Sequence, residues 1–338
     1  MKQSCVAGNS NRVAGKGNMK RLVFWGVRGS IPRPSSASEV MAKVKESLTL
    51  AAGRDLGSEA GIDAFMQSLP FHVKCSYGGN TSCVQVDTGN DEYLLLDAGS
   101  GLRDFGNAFM AAGGGKKRST FHILVSHPHW DHIQGFPFFV PAFIPGNTVK
   151  IYGGHDSLAH AFTRQQDPVS FPVPLSYMAA AVDFTRLEPG KLHRIAGLEV
   201  SLIEQDHPGA SYGYRLSGGG RTVVYSTDSE HKIENGEARE SSLRFFGGAD
   251  VLIFDAQYSL AEADVLKKDW GHSSNIIGVE LAVEAGVRHV VLFHLDPAHD
   301  DRSLDKLLVD TRRYAKLLAP DRDLEVSVAW DGLELALG

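Results

Sequence analysis

Seven consecutive residues, Ser126-His127-Pro128-His129-Trp130-Asp131-His132, follow the apolar run 121–125 and place three imidazoles and one carboxylate on a single short segment. Neutral imidazole and carboxylate are preferred donors for zinc and similar borderline divalent ions. A tight turn leaving a buried strand aims alternate side chains into one cavity, so this spacing predicts a metal site.

The pattern His-x-His-x-Asp-His at 127–132 resembles the signature of the metallo-β-lactamase fold superfamily, most of whose members are binuclear metal hydrolases. The further donors of that superfamily follow in its order: His207 closes the run 200–206, Asp228 follows the strand-like 222–226, and His294 follows 290–293. The resemblance implies that His127, His129 and His207 hold one ion, that Asp131, His132 and His294 hold a second, and that Asp228 bridges them. It therefore implies two divalent metal ions as cofactor, zinc first among them, with manganese and iron also suited to nitrogen and oxygen donors.

These residues need elements to carry them. A chain of 338 residues, 43% of them hydrophobic, has enough apolar surface for one large layered domain or two smaller ones. The segments 22–27, 83–87, 93–97, 121–126, 148–152, 199–204, 212–216, 222–226, 251–255, 290–293 and 325–329 are short, apolar or β-branched, and bounded by turn residues, which predicts strands. Helices are predicted over 103–112, 238–246, 274–285 and 303–318. Strands that feed helices give an α/β layered fold. The resemblance sharpens this to a four-layer αβ/βα sandwich of the metallo-β-lactamase type, one domain over 19–338. Between Pro34 and Tyr77 the apolar spacing over 40–50 and 61–69 predicts a helical insertion near 35–70, whose possible roles are surface decoration, a lid or a homodimer contact. Residues 1–18, rich in Gly, Asn, Ser and Lys, read as a disordered leader.

Other features bound the setting. No apolar run approaches the roughly 20 residues that span a bilayer, and the first residues lack the apolar centre of a signal peptide, so a soluble cytoplasmic protein with no membrane partner is expected. Cys5, Cys75 and Cys83 form no Cys-x-x-Cys and are read as reduced, structural thiols.

Three flanking stretches narrow the branch. Trp25-Gly26-Val27-Arg28-Gly29-Ser30-Ile31-Pro32, Tyr77-Gly78-Gly79-Asn80-Thr81-Ser82-Cys83 and Leu96-Asp97-Ala98-Gly99-Ser100-Gly101 resemble the phosphodiesterase and transfer-RNA 3′-processing nuclease branch. Gly271-His272-Ser273-Ser274 does so too. In that branch a His at this place contacts the phosphate and helps protonate the departing oxygen, a role the resemblance carries to His272. Ser273, Ser274 and the amides of a helix start would make the same spot attractive to an anion. Asp131 joins His272 as an expected catalytic residue, because Asp131 and Asp228 would orient and neutralise the metals. Asp97 and Asp255, each in an Asp-Ala pair at a strand end, are candidates to hold imidazole tautomers. Arg28 and Asn80 are weaker candidates for substrate contact. His72, His122, His155, His160, His193, His231, His289 and His299 carry no pattern that singles them out.

Substrate size follows from charge and spacing. The formal net charge is −6, and Lys116-Lys117-Arg118 is the sole basic triplet, whereas binding long RNA relies on many basic contacts. The nuclease members carry a Gly- and Pro-rich arm between the lone His and the lone Asp, and the stretch from His207 to Asp228 has room only for a tight pair of strands. A small phosphodiester such as a cyclic nucleotide is the expected substrate. The alternatives are an RNA-processing endonuclease, or a metal-binding protein of the same fold without hydrolytic activity. The iron oxidoreductases of this fold carry Glu where His129 stands, which disfavours that chemistry.

Overall fold

A computed structural model of the chain describes residues 17–231, 236–258 and 270–337. Most of the expected leader lies outside these residues, as does Cys5, but Gly17 is already tied down: its N–H donates to Gly197 O at 3.0 Å.

Two seven-stranded sheets form the frame. The first holds β1 (Arg21–Gly26), β2 (Cys83–Asp87), β3 (Glu92–Leu96), β4 (Thr120–Leu124), β5 (Thr148–Gly153) and β6 (Ala181–Arg186) side by side in that order. The second holds β7 (His193–Ile195), β8 (Leu198–Gln205), β9 (Ser211–Gly218), β10 (Arg221–Ser226), β11 (Val251–Asp255), β12 (His289–Phe293) and β13 (Glu325–Val328), again neighbour to neighbour. The last strand, β14 (Glu334–Ala336), returns to pair antiparallel with β1.

Side-chain alternation explains the layers. In β3, Leu94 and Leu96 face the core between the sheets, while Tyr93 and Leu95 face the outer side, where they meet Phe105 and Phe109 of the helix spanning Gly101–Ala111. The central strands β11 and β12 are buried on both faces and read as nearly unbroken apolar runs. Helices Asn275–Ala285 and Asp301–Leu318 cover the second sheet by packing on β11, β12 and β13. The chain is thus the helix–sheet–sheet–helix sandwich expected from the sequence.

In chain order the helices are α1 (Ala37–Leu50), α2 (Glu59–Ser68), α3 (Phe71–Lys74), α4 (Gly101–Ala111), α5 (Trp130–Ile133), α6 (Leu158–Gln165), α7 (Gly236–Phe246), α8 (Asn275–Ala285) and α9 (Asp301–Leu318). The insertion is helical, as its spacing predicts. Ser36 caps α1 by accepting from Glu39 N–H, and the Glu39 carboxylate accepts from Ser36 N–H in return, a capping box. Neither α1 nor α2 buries a side chain fully, and Met41 and Leu48 remain 67% and 69% exposed. Polar pairs tie α1 down, Lys43 to Asp301 and Glu46 to Arg302, while α3 sets His72 Nδ1 2.6 Å from Asp305 and packs Phe71 against Tyr77 and Trp330.

Strands β6, β7 and β14 have no counterpart in the sequence expectations. Each lies at the edge of its sheet and has only one paired side. An edge strand this short or this exposed carries little apolar signal.

Candidate metal centre

All seven expected donors come from segments that leave strands at the same end of the two sheets, Asp131 and His132 from the short helix α5. Strands β3 to β6 run parallel, as do β10 to β13, and β8 shares the direction of β10 because both are antiparallel to β9. The segment 126–132 leaves the carboxyl end of β4, His207 that of β8, Asp228 that of β10 and His294 that of β12. Clefts at the carboxyl ends of parallel strands are the usual place for ligands in such sheets.

The side chains gather in two groups. In one, His129 Nδ1 lies 2.8 Å from His127 Nε2 and 3.1 Å from His207 Nε2. In the other, Asp131 Oδ2 lies 3.2 Å from both His132 Nε2 and His294 Nε2. Asp228 faces both groups: Oδ2 is 3.3 Å from His132 and from His294, and Oδ1 is 3.8 Å from His127 and 4.0 Å from His207. Each group's donor atoms fall within 4.8 Å of one another, and His129 is the exposed member.

The electrostatics ask for a cation. His132 directs Nδ1 at Asp97 Oδ2 (2.7 Å), so Nε2 faces the Asp131 and Asp228 oxygens, and this buried atom has no hydrogen-bond partner. Burial opposes a charge on His132, yet Asp228, Asp131 and Asp97 hold it well above its ordinary value. In return, and despite burial, His132 and His294 hold Asp131 and Asp228 well below the carboxylate range. In the other group burial and neighbouring imidazoles push His127 far down, and burial lowers His129 and His207 as well, which leaves neutral rings. In that group the rings are already in the neutral state a divalent ion requires, and in the other the ionised Asp131 and Asp228 hold on His132 a positive charge that a divalent ion would displace. The donor set therefore fits two such ions.

A surrounding shell orients the donors. Asp97, wholly buried, accepts from Ser126 N–H (2.7 Å), Ser126 Oγ (2.9 Å) and Tyr225 OH (2.7 Å) besides His132. His207 Nδ1 donates to Gly271 O at 2.9 Å. Asp131 Oδ2 accepts from Ser30 N–H at 2.7 Å. Asp255 Oδ2 lies 2.8 Å from His272 Nδ1. Both Asp97 and Asp255 thus hold imidazoles as expected, whereas Ser30, Tyr225 and the Gly271 carbonyl are contributors the sequence reading missed. Tyr225, the phenol that follows Val223 and Val224 in β10, was a visible signal, since a buried tyrosine needs a partner for its hydroxyl.

Backbone strain concentrates here. Among the described residues six non-glycines have positive φ, and four of them, Ser30, Asp97, Asp228 and His294, belong to this centre. Conformations of this kind cost of order 1–3 kcal/mol each and persist where the surroundings enforce them. Gly271, at φ +79°, also has a close neighbour: a Cβ there would fall on the His207 ring.

His272 sits just before α8, its ring stacked on His294 with centroids 5.1 Å apart. Burial disfavours its charged form, but Asp255, by charge and hydrogen bond, together with Asp228 and Asp131, raises it to about 9. Arg28 does not reach the cleft. Its guanidinium is fully buried and donates to Gly78 O, Asp296 O and His299 O, fastening the loops beneath the centre. Asn80 likewise spends its amide on Asp104 at 2.7 Å. Among the described residues the one further histidine whose ring reaches these donors is His272, grouped with His207 and Asp228 and with Asp255 and His294; Cys75 is exposed rather than structural, while Cys83 is buried.

Comparison with known proteins agrees with this geometry. Residues 92–295 match the Beta-lactamase superfamily domain. Ribonuclease Z of Thermoplasma acidophilum is 30% identical over 258 residues, which cover 62% of this chain and 80% of that protein. Ribonuclease Z of Latilactobacillus sakei is 25% identical over 258 residues, with the same coverage. Among solved structures, the metallo-beta-lactamase fold protein YhfI from Bacillus subtilis superposes with a TM-score of 0.61 at 20% identity, covering 94% of this chain and 99% of that one. Unliganded yeast PDE1 gives the same TM-score at 12% identity, covering 95% and 100%.

Proposed function

Because the chain belongs to the metallo-β-lactamase superfamily and presents a hydrolase-type His/Asp centre, we propose that it is a binuclear metal-dependent phosphodiesterase acting on a small or cyclic nucleotide. The observation that carries the reading is the His272–Asp255 pair beside Asp228, at the start of α8. It places a proton donor and a helix N-terminus at one side of the donor set, a combination suited to a phosphate ester. Relatives named ribonuclease Z, enzymes whose bond is a phosphodiester, support the same chemistry.

Two divalent ions bound here would supply the Lewis acidity and water activation that phosphodiester hydrolysis needs. His127, His129 and His207 would hold one, Asp131, His132 and His294 the other, with Asp228 shared. The protein's own part is orientation and proton supply. Asp97 and the Gly271 carbonyl fix the Nδ1 protons of His132 and His207, so that each Nε2 lone pair points inward. Asp255 engages Nδ1 of His272, which leaves Nε2 as the atom to protonate the departing alkoxide.

Small substrates are favoured over RNA by one segment. Between His207 and Asp228 the chain makes only the hairpin of β9 and β10, joined at Gly219-Gly220. That leaves no protruding arm to grip a long nucleic acid.

The test is metal analysis of the purified protein followed by a substrate panel. Two ions per chain and turnover of bis-p-nitrophenyl phosphate or a cyclic nucleotide, with nitrocefin and S-lactoylglutathione untouched, are expected. Strong lactam or thioester turnover without phosphodiester cleavage would overturn the proposal.

A further inference from the structure

We infer that Gln257 is a positioning residue of the metal centre: its Oε1 takes the Nδ1 proton of His294, so that the Nε2 lone pair of that ring is presented to the ion held with Asp131 and His132. The inference rests on the binuclear reading above and adds to it the residue that fixes His294.

An imidazole that gives one nitrogen to a metal carries its proton on the other, and when that N–H is buried it needs an acceptor. His132 has Asp97 for this purpose and His207 has the Gly271 carbonyl. His294 directs Nε2 at Asp131 Oδ2 (3.2 Å) and Asp228 Oδ2 (3.3 Å), yet its Nδ1 is buried with no hydrogen-bond partner among the described residues. Gln257 Oε1 is orphaned in the opposite sense, a buried acceptor without a donor. Both side chains are shut off from solvent, with His294 1% and Gln257 4% exposed.

The two orphaned atoms crowd the same glycine. A Cβ at Gly29 would lie 2.5 Å from His294 Nδ1 and 3.0 Å from Gln257 Oε1. With both atoms within 3.0 Å of that one point, a small turn of the amide or a single bridging water joins them. Any side chain at position 29 would collide with the pair. The rest of Gln257 is already anchored, which leaves Oε1 as its free end: N–H donates to Asp255 Oδ1 at 3.0 Å, and Nε2 donates to Ser30 Oγ and Tyr258 OH, both at 3.3 Å. Turning the amide over would set an N–H against the His294 Nδ1 proton. Ser30 in turn gives its N–H to Asp131 Oδ2 at 2.7 Å, so the surroundings of Gln257 bear on the ion of Asp131, His132 and His294.

The experiment measures metal binding rather than turnover. Full-length wild type, Gln257→Leu and Gln257→Glu are titrated with zinc in competition with a chromophoric chelator. Gln257→Leu, which offers no acceptor, should hold one ion as wild type does and the other about 10- to 100-fold more weakly, the usual loss when the outer partner of a ligand is removed. Gln257→Glu restores an acceptor and should hold that second ion at least as tightly as wild type. A merely structural role for Gln257 would lower stability without singling out one ion. Ring ¹⁵N NMR of the zinc-loaded wild type, with the His294 signals assigned by their loss in His294→Ala, should place the proton on Nδ1 and show it slow to exchange. This second readout needs wild type alone, so it stands even if Gln257→Leu does not fold. A His294 proton on Nε2, wild-type affinity of Gln257→Leu for both ions, or an equal fall at both would overturn the role of Gln257 while leaving the hydrolase reading in place. Wild type that holds fewer than two zinc ions would overturn the binuclear reading itself, and the role of Gln257 with it.

Discussion

Asp97→Asn is the sharpest test of how the centre is held. The replacement is nearly isosteric, but Asp97 accepts four hydrogen bonds and donates none. Oδ2 alone takes Ser126 Oγ, His132 Nδ1 and Tyr225 OH, and Oδ1 takes Ser126 N–H. An amide nitrogen in either position meets a donor. The cheapest relief is for His132 to move its proton to Nε2, the atom that faces Asp131 and Asp228. The ring then offers a proton where a metal needs a lone pair. Loss of a partner of this kind weakens metal affinity by about 10- to 100-fold, or about 1.4–2.8 kcal/mol. The deficit should fall on the Asp131–His132–His294 ion, so that the variant retains one tight ion and one loosened by that factor. Competition against a chromophoric chelator would resolve the two. Tyr225→Phe is the control: it removes a buried hydrogen bond to Asp97 without forcing a tautomer change. It should lower stability by about 1.5–3 kcal/mol, as for a bond to a charged group, with both metal affinities close to wild type. Unaltered binding of both ions by Asp97→Asn, or an equal metal deficit in Tyr225→Phe, would refute the tautomer argument.

Two further outcomes follow from other residues. His272→Ala should retain full metal content yet slow substrates with poor alkoxide leaving groups by about 10²- to 10⁴-fold, with a much smaller effect on bis-p-nitrophenyl phosphate, whose leaving group departs unprotonated; equal losses on both would reassign His272 to phosphate binding. His231 gives a pH signature: burial, partly countered by Asp255 and Asp206, pushes it down to about 4. The unfolded chain therefore takes up the proton first, and stability present above pH 6.5 is lost as pH falls toward 4, by about 3 kcal/mol. His231→Phe, whose ring can keep the stack on Phe254, should flatten that slope in urea unfolding, and an unchanged slope would exclude His231 as its source.

Legibility in the sequence tracked distance along the chain. His127, His129, Asp131 and His132 were readable because one turn carries them all, and α1 because its apolar residues recur at helical spacing over 40–50. His207, Asp228 and His294 were readable only through their order at strand ends, since each alone is an ordinary loop residue. The contacts that orient them were largely hidden: Tyr225 reaches Asp97 across 128 positions and Ser30 reaches Asp131 across 101. Such pairings arise from the register of two packed sheets, which no local pattern encodes.

The helical insertion leaves and re-enters the frame at one point, where Arg33 N–H donates to Gly79 O at 2.8 Å. That bond closes residues 34–78 into a side loop. Since closing a loop costs only about 0.6 kcal/mol more for each doubling of its length, and since the loop's two longer helices add no fully buried side chain to the core, its length is nearly invisible to the ligand frame. In evolutionary terms the segment is an exchangeable cassette. Descendants of this fold can lengthen α1 and α2, trim them back, or rewrite their outward face, while Tyr77 and Gly78, which bond to Asp305 and Arg28, stay with the frame and the metal chemistry a few residues upstream at Ser30 is inherited unchanged.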